Sequence, residues 1–252
     1  MTEAPHLANH RGILAVPKSW KDLSRDYEKQ VFSVTSFPAR RKRIVREVAT
    51  GLVVDLGCGP LGLMLREIAA LPNTHAVGSD FCLEMLFESR RHTFGLNVEY
   101  LLADNRCLPF PDSSVDTIVS VNSFLPELRA DVDRIFHEVA RVLRQKGRLV
   151  ALLPSFEMSL IARDKWGMSV RVDPAEHREW DTTGWQSFYT LSDIEYLVKR
   201  HRLYKHSVER VTFSTPEEAE HIRQIYPESL GNVSLERLLQ YPLYEHLLVA
   251  TR

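Results

Sequence analysis

The stretch Val53-Val-Asp-Leu-Gly-Cys-Gly-Pro-Leu-Gly62 decides the fold. Its first four residues are apolar apart from one aspartate, which is typical of a short buried strand. Glycines follow at Gly57, Gly59 and Gly62, and an apolar pattern of helical spacing then runs to Pro72. A strand, a glycine loop and a helix in this order indicate a backbone that turns sharply beside a ligand, because glycine has no Cβ to obstruct the approach. The glycine spacing alone also matches a dinucleotide fingerprint, which is a weak signal.

The same alternation of strand and helix continues on the carboxyl side of this stretch. Four further apolar runs of strand length are separated by segments whose apolar residues recur at helical spacing. This rhythm predicts βαβ units on a mostly parallel sheet, which is an α/β fold of the Rossmann-like, doubly wound type. The five predicted strands span residues 52–56, 75–80, 98–104, 115–121 and 147–153.

The segments on either side of this core differ from it. On the amino side, a polar leader over residues 1–18 precedes two amphipathic helices, the second of which is predicted to end at Gly51. On the carboxyl side, an aromatic-rich cap segment over residues 156–189 precedes a helix with a capping box at Thr190. The last two strands, 205–213 and 244–251, are predicted to form an antiparallel hairpin interrupted by helices capped at Thr215 and Ser234. We therefore divide the chain into residues 1–50 (leader and N-terminal helices), 51–155 (core) and 156–252 (cap and closing strands).

Polar side chains stand at or near the carboxyl ends of four predicted strands. They are Asp55, Asp80, Asp104 and Asn122. In an open α/β sheet the ligand binds beyond the carboxyl ends of the strands, so these four groups are expected to meet on one rim. A carboxylate two residues before the glycine loop suits a cationic amine better than a pyrophosphate. Asp80 could accept hydrogen bonds from ribose hydroxyls and Asp104 from the amine of adenine.

Four blocks of this sequence resemble, in order and spacing, the motifs of class I S-adenosylmethionine-dependent methyltransferases. They are 53–62, Val77-Gly-Ser-Asp80-Phe-Cys-Leu-Glu-Met-Leu86, Ala103-Asp-Asn105 with 108–119, and 138–150. The resemblance covers about residues 50–155. It implies a seven-stranded sheet with an antiparallel last strand, S-adenosylmethionine as cofactor and S-adenosylhomocysteine as product. One departure is Gln145-Lys146, where many relatives carry proline and glycine in the turn before the fifth strand.

The resemblance also implies a set of cofactor-binding residues. Asp55, Gly57 and Gly59, with Cys58 between the glycines, would hold the methionine portion. Asp80 would bind the ribose, and Phe81 would pack on the adenine. The remaining positions are Asp104 for the adenine amine, Asn105 for a ring nitrogen, Asn122 for the floor beneath the sulfonium, and Tyr27 for closure of the methionine end.

Each of these positions also has a purely structural interpretation. The glycines could serve only a tight turn, Asp80 and Asn122 could be helix caps, and Asp104 could be a turn residue. Tyr27 could be ordinary helix packing. Cys58 is interpreted as a small residue that fits the loop rather than as a reactive thiol.

Composition narrows the classes of partner. The 32 basic and 33 acidic residues give a formal net charge of −1, so no global basic field favours nucleic acid. The basic run 40–43 is interpreted as a solvated helix face, with an anionic substrate patch as the alternative. Three cysteines, ten scattered histidines and no apolar run of membrane-spanning length predict a soluble cytoplasmic protein without disulfide framework, metal site or membrane partner. It would be a monomer or a homodimer.

These features predict a methyltransferase that transfers a methyl group by direct displacement to an oxygen, nitrogen or carbon atom of a small, apolar, for example aromatic, molecule. The cap segment would enclose the acceptor, with His177, Trp180, Trp185 and Tyr189 as substrate-binding residues. His177, Asp173 and Asp181 are conceivable bases, but sequence gives no geometry, so the catalytic residues stay open. The alternatives are an RNA or peptide methyltransferase anchored by residues 40–43, and a non-catalytic S-adenosylmethionine-binding protein.

Overall fold

The computed structural model describes residues 20–31, 34–181 and 184–252. The predicted leader over residues 1–18 lies outside the described residues. None of the helices in the described ranges is long and apolar enough to cross a lipid bilayer.

A seven-stranded sheet forms the centre of the fold. The strand order is β3-β2-β1-β4-β5-β10-β9. Strands β1 to β5 run parallel to one another, whereas β10 runs antiparallel to both β5 and β9. The predicted α/β, Rossmann-like fold with its antiparallel closing strands is therefore confirmed. The strands are β1 Gly51–Leu56, β2 Thr74–Asp80, β3 Val98–Leu102, β4 Val115–Val121, β5 Leu143–Pro154, β9 Tyr204–Thr212 and β10 Tyr244–Thr251.

Helices cover both faces of this sheet. On one face, α6 buries Val132, Phe136 and Val139 together with residues of α8. On the other face, α3, α4, α7 and α9 to α11 enclose a second core. The helices are α1 Trp20–Leu23, α2 Tyr27–Gln30, α3 Pro38–Val45, α4 Leu63–Ala69, α5 Leu83–His92, α6 Arg129–Val142, α7 Phe156–Asp164, α8 Leu191–Arg200, α9 Pro216–Ile225, α10 Pro227–Leu230 and α11 Leu235–Gln240, with a 3-10 turn at Val34–Ser36.

The amino-terminal segments differ from prediction in two places. The first amphipathic stretch is broken into the four-residue helices α1 and α2. The second helix ends at Val45, and Gly51 opens β1 instead of closing the helix. Gly51 has φ +106°, and a Cβ there would lie 2.2 Å from the Asp116 carboxylate, which also accepts a hydrogen bond from Leu52 N at 2.7 Å. A close approach between β1 and β4, rather than a helix cap, therefore requires this glycine.

The predicted helix caps on the carboxyl side are confirmed. Thr190 with Asp193 and Thr215 with Glu218 form capping boxes at α8 and α9. Ser234 accepts a hydrogen bond from Arg237 N at the start of α11. Helices α9 to α11 interrupt the β9–β10 hairpin as expected.

The cap segment contains a small sheet that the sequence did not predict. After α7, strands β6 Arg171–Asp173, β7 Arg178–Asp181 and β8 Gly184–Ser187 pair antiparallel. Trp180 and Trp185 are directly opposite each other across β7 and β8, with ring centroids 5.6 Å apart. The cap is therefore a folded element that presents an aromatic pair.

The interpretation of residues 40–43 as a solvated face is wrong for three of the four side chains. Arg40 binds Glu218, Arg41 binds Glu67 and Arg43 binds Glu209, at 2.6, 3.0 and 2.7 Å. These arginines are only partly exposed, because they fasten α3 to three other elements. Only Lys42 is left on the exposed side of the helix.

Candidate functional site

A cavity of about 500 Å³ opens at the carboxyl ends of the parallel strands. One wall is formed by the glycine loop and the ends of β2 and β3, and a second by the loop after β4. Trp20 and Tyr27 come from the N-terminal helices, and Gly184 to Gln186 come from the cap segment. Of the predicted cofactor residues it brings together Tyr27, Gly57, Gly59, Asp80, Phe81, Asp104, Asn105 and Asn122.

The glycine loop has a left-handed backbone at all three glycines, with φ of +66°, +63° and +55°. Side chains would meet different surroundings at the first two positions. A Cβ on Gly57 would lie 2.3 Å from Ser123 Cβ, whereas a Cβ on Gly59 would meet nothing within 4 Å. Gly57 is thus required by packing, and Gly59 leaves open space where a ligand can approach the backbone.

Asp55 is a buried carboxylate next to this loop. It accepts no hydrogen bond from the described residues that would compensate for its charge, and it lines a smaller recess of about 50 Å³ with Tyr27, Gly57, Cys58 and Gly59. Burial, and then the nearby charge of Asp80, raise the pKa of Asp55 to about 7. A buried carboxylate without a donor is suited to a cationic ligand.

Cys58 lies within the same recess. Burial and the neighbouring carboxylates of Asp55 and Asp80 raise the pKa of its thiol. A thiol held in its protonated form is a poor nucleophile. This agrees with its interpretation as a small residue that fits the loop.

Asp80 ends β2 and connects the loop to α5. Its Oδ1 accepts a hydrogen bond from Cys82 N at 2.9 Å, and its Oδ2 accepts one from Gly59 N at 3.2 Å. Burial raises its pKa, although these backbone donors counteract the rise. The side chain therefore joins the glycine loop to the residue before α5 and lines the cavity. The N-cap of α5 is Cys82, so the interpretation of Asp80 as the helix cap is wrong.

Asp104 and Asn105 follow β3 at the far end of the cavity. Asp104 is bound by a neighbour that the sequence did not bring to attention, Arg106, whose Nη2 lies 2.6 Å from Asp104 Oδ2. Each oxygen of Asp104 has two N–H contacts of 3.0 Å or less from Arg106. A carboxylate has about four acceptor positions, so an adenine amine would have to displace one of these contacts. Arg106 also binds Asp131 at 2.9 Å, which holds it at the cavity wall.

Phe81 and the N-terminal helices form the mouth of the cavity. The Phe81 ring is 60% exposed and meets Trp20 edge-on at a centroid distance of 6.4 Å. Tyr27 lines both the cavity and the smaller recess. These aromatic rings flank the positions predicted for the nucleoside and for the methionine portion.

Asn122 follows β4 with φ +49° and lines the cavity floor. Its Nδ2 donates to Glu245 Oε1 at 2.6 Å, and the other oxygen of Glu245 is buried without a partner among the described residues. Burial raises the pKa of Glu245 to about 7. Sequence reasoning missed Glu245, although an acidic residue at the start of a strand with a central apolar run was a usable signal.

The substrate-binding residues predicted in the cap segment are not all placed at the cavity. Trp185 lines it, whereas Trp180 packs against Trp185 from outside the lining. The His177 side chain contacts Asp193 at 2.8 Å, and its ring lies 5.0 Å from the ring of Phe156 at a tilted angle. Tyr189 is fully buried, and its hydroxyl donates to the Phe124 carbonyl. Asp173 is bound to Arg178, and the side chain of Asp181 lies outside what the structure describes.

The apolar wall opposite the carboxylates was not predicted. It comes from the loop after β4, which carries no sequence motif, and it is completed by α6. Its members are Leu125, Pro126, Leu128 and Ile135.

Comparisons with known proteins concern the segment that carries the glycine loop. Residues 53–147 match the model of a family described as a methyltransferase domain. This segment is a class I methyltransferase domain. S-adenosylmethionine is the cofactor of that class, so the family and cofactor predicted from the sequence are confirmed.

Two curated relatives share the methyltransferase domain. A demethylmenaquinone methyltransferase of Thermus thermophilus is 41% identical over 110 residues, covering 42% of this chain and 48% of that protein. The ubiquinone/menaquinone biosynthesis C-methyltransferase UbiE of Hahella chejuensis is 35% identical over 112 residues, covering 43% and 44%. This chain thus matches somewhat less than half the length of each.

The fold is also shared with solved structures. An S-adenosylmethionine-dependent methyltransferase from Mesorhizobium loti superposes with a TM-score of 0.61 at 20% identity, covering 87% of this chain and 98% of that one. At this identity the likeness concerns the fold. It extends beyond the methyltransferase domain to most of the described sheet and helices.

Proposed function

We propose that this chain is an S-adenosylmethionine-dependent methyltransferase whose acceptor is a small apolar molecule, methylated at a ring carbon. The observation that carries the proposal is a single cavity with two unlike walls. Asp80, Asp104 and the glycine loop form one wall. On the other, Leu125, Pro126, Leu128 and Trp185 are interspersed with Glu127, Asp131 and Gln186. The two relatives named for methylation of quinone precursors support an aromatic, quinol-like acceptor.

The residues at the loop fit the cofactor. The open space over Gly59 leaves room for a ligand against the backbone, and the buried Asp55 has no positive partner among the described residues, which an ammonium group can supply. Asp80, at the end of β2, keeps acceptor positions beyond its two backbone contacts, which suit ribose hydroxyls. Phe81 offers its ring face and Asn105 its backbone to the adenine.

When bound, S-adenosylmethionine would supply a sulfonium methyl group that passes directly to the acceptor atom, with neutral S-adenosylhomocysteine as the leaving group. The work of this chain is to align and desolvate. The apolar wall excludes water and positions the acceptor above the cavity floor. On that floor, a hydrogen bond to Glu245 holds the Asn122 side chain in place. Alignment of two reactants can lower a barrier by roughly 7–11 kcal/mol.

The proposal is tested by calorimetry and by turnover. Wild-type protein should bind S-adenosylhomocysteine, and Asp80→Ala should weaken that binding by about 1–3 kcal/mol because the ribose loses its acceptor. With isotope-labelled donor, label should appear in a short-chain demethylated naphthoquinol. Binding of NADH in place of S-adenosylhomocysteine would contradict the proposal, and donor binding without turnover of any small acceptor would indicate the non-catalytic alternative.

The structure disfavours the RNA or peptide alternative. Its anchor was the basic run 40–43, but Arg40, Arg41 and Arg43 are bound to carboxylates of this chain. A polyanionic acceptor would have to break those ion pairs.

A further inference from the structure

Exposed apolar side chains are concentrated on one part of the described surface. Of ten exposed large apolar residues in the described ranges, six fall between Phe81 and Leu102. Phe94 is 91% exposed and Phe87 is 57% exposed. Large exposed apolar patches on soluble proteins mark surfaces that bind another protein, a membrane or a ligand.

Helix α5 arranges these residues in a stripe. Leu83 and Phe87 are four residues apart, Arg91 continues the row, and Phe94 follows the helix three residues later. Residues at this spacing lie on one side of a helix. Met85 and Leu86 face the core, so α5 is apolar on two sides and only one of them is covered in the described structure.

The stripe begins at the mouth of the cavity. Phe81, directly before α5, is exposed and also lines the cavity. Leu128, on the opposite wall, is exposed as well. An apolar surface that reaches the edge of a cavity with apolar side chains on one wall suits a molecule that leaves an apolar phase and enters the site.

Basic residues accompany the aromatic residues. Arg90, Arg91 and His92 form the last turn of α5, between Phe87 and Phe94. Arg91 has a long contact of 3.3 Å to Glu88, and its side chain is 78% exposed. Basic residues beside exposed phenylalanine and leucine on an amphipathic helix are typical of helices that lie on anionic membrane surfaces.

We propose that the surface formed by Phe81, Leu83, Phe87, Arg90, Arg91 and Phe94, the α5 patch, docks onto an anionic lipid surface. It goes beyond the methyl-transfer activity and gives an apolar acceptor a short route from the lipid into the cavity. Sequence reasoning predicted no membrane partner because it considered only continuous apolar runs. The apolar residues of the patch lie within positions 81–94 but are separated by other residues, so they form no continuous apolar run.

Vesicle co-sedimentation tests the proposal. The full chain should bind vesicles that mix phosphatidylglycerol with phosphatidylcholine. Phe87→Ser/Phe94→Ser should lower the bound fraction about tenfold or more, because two aromatic rings that the lipid would bury are removed. Arg90→Gln/Arg91→Gln should reduce binding to these vesicles and leave any binding to pure phosphatidylcholine unchanged. Leu191→Ser/Tyr204→Ser, which changes two exposed apolar residues elsewhere, should bind as the wild type does.

Three results would overturn the proposal. The first is that the wild type does not bind vesicles, and the second is that the Leu191→Ser/Tyr204→Ser control loses as much vesicle binding as Phe87→Ser/Phe94→Ser. The third is that the wild type forms dimers without vesicles and that Phe87→Ser/Phe94→Ser dissociates them, which would show a second copy on the α5 patch. Calorimetry with S-adenosylhomocysteine in the absence of vesicles confirms that each variant is folded. That measurement also separates failure of the lipid proposal from failure of the proposed function, because the substituted residues Phe87, Arg90, Arg91 and Phe94 do not line the cavity.

Discussion

Asp55 is buried beside the glycine loop, and no cation among the described residues pairs with its charge. With a pKa of about 7, a substantial fraction of this carboxyl group is protonated near neutral pH. A bound ammonium group would stabilise the ionised form and release the proton. Donor binding and ionisation of Asp55 are therefore linked.

The linkage predicts a pH-dependent donor affinity. Affinity of the wild type for S-adenosylmethionine should rise by up to about tenfold per pH unit as the pH approaches 7 from below, and level off above it. Asp55→Asn should bind more weakly and with a flatter profile. Calorimetry in two buffers of different ionisation enthalpy would measure the released proton, and an unchanged profile in Asp55→Asn would assign the linkage to another group.

Glu245 gives a second prediction, on stability. Its pKa rises from 4.5 to about 7 on folding, so its stabilising contribution is complete below 4.5 and lost as the pH rises through about 7. Glu245→Gln keeps an oxygen acceptor for Asn122 and has no charge to bury. The melting temperature of the variant should fall less than that of the wild type over this pH window, and parallel melting curves would show that Glu245 titrates normally.

The two glycines of the loop are expected to respond differently to alanine. Gly57→Ala adds a clash with Ser123 to an unfavourable φ and should destabilise by about 3 kcal/mol or more, whereas Gly59→Ala carries only the φ penalty of about 1–2 kcal/mol. Gly59→Ala should nevertheless lose donor affinity, because its methyl group enters the ligand space. Gly167→Ala is the matched control, with φ +76° and nothing within 4 Å of its Cβ, and should keep full donor affinity. Equal donor affinity in Gly59→Ala and Gly167→Ala would contradict the assignment.

At the scale of the elements, α3 is held in place by charge more than by apolar burial. Its one buried side chain is Ile44, whereas its arginines bind acids on α9, α4 and β9. Glu218 is almost fully buried. Burial alone would raise the pKa of Glu218, but hydrogen bonds from Arg40 and from two backbone N–H groups lower it.

Removal of Arg40 should therefore affect folding more than its position on a short polar helix suggests. Arg40→Ala leaves the Glu218 carboxylate without its cation and should lower the free energy of unfolding by about 2 kcal/mol. Lys42→Ala, on the exposed side of the same helix, should change it by less than about 0.5 kcal/mol. Chemical denaturation of both variants measures the difference, and similar losses would mean that the Arg40–Glu218 ion pair does not account for the effect.

The parts of the fold that were predictable from the sequence are those encoded locally. Strand and helix periodicity located the parallel sheet, and the capping boxes at Thr190 and Thr215 depend on residues three positions apart. Two ion pairs of α3, those of Arg40 and Arg43, join residues more than 160 positions apart, and the third joins Arg41 to Glu67 on another helix. No local pattern in the sequence therefore indicates them. The small sheet β6–β8 was missed because each strand has only three or four residues.

The candidate site divides in the same way. The glycine loop and the carboxylates at strand ends follow from motif spacing. The engagement of Asp104 by Arg106, and of Asn122 by Glu245, depends on side-chain geometry and on a strand that pairs far along the chain. The burial of Tyr189 likewise reflects tertiary packing that an aromatic-rich segment does not reveal.

At the scale of the whole molecule, the cap segment and the methyltransferase domain should contribute to different binding steps. Trp185→Ala enlarges the acceptor side and should raise the KM for the acceptor by about tenfold, the loss expected from a buried aromatic contact. The dissociation constant of S-adenosylhomocysteine should change by less than about twofold, and Tyr196→Ala, an exposed aromatic elsewhere, should alter neither. Equal losses of donor and acceptor binding in Trp185→Ala would assign Trp185 to general packing.

The position of β10 between β5 and β9 has a consequence for biosynthesis. While the polypeptide emerges from the ribosome, β5 and β9 are both made before the strand that joins them, and β9 has no other neighbour in the described sheet. Until residues 244–251 leave the exit tunnel, the edges of β5 and β9 that pair with β10 stay unpaired. Chaperones or the β10 of another nascent chain can bind these edges during that time. We therefore expect the yield of native protein from cells to depend strongly on how quickly β10 is delivered after β9.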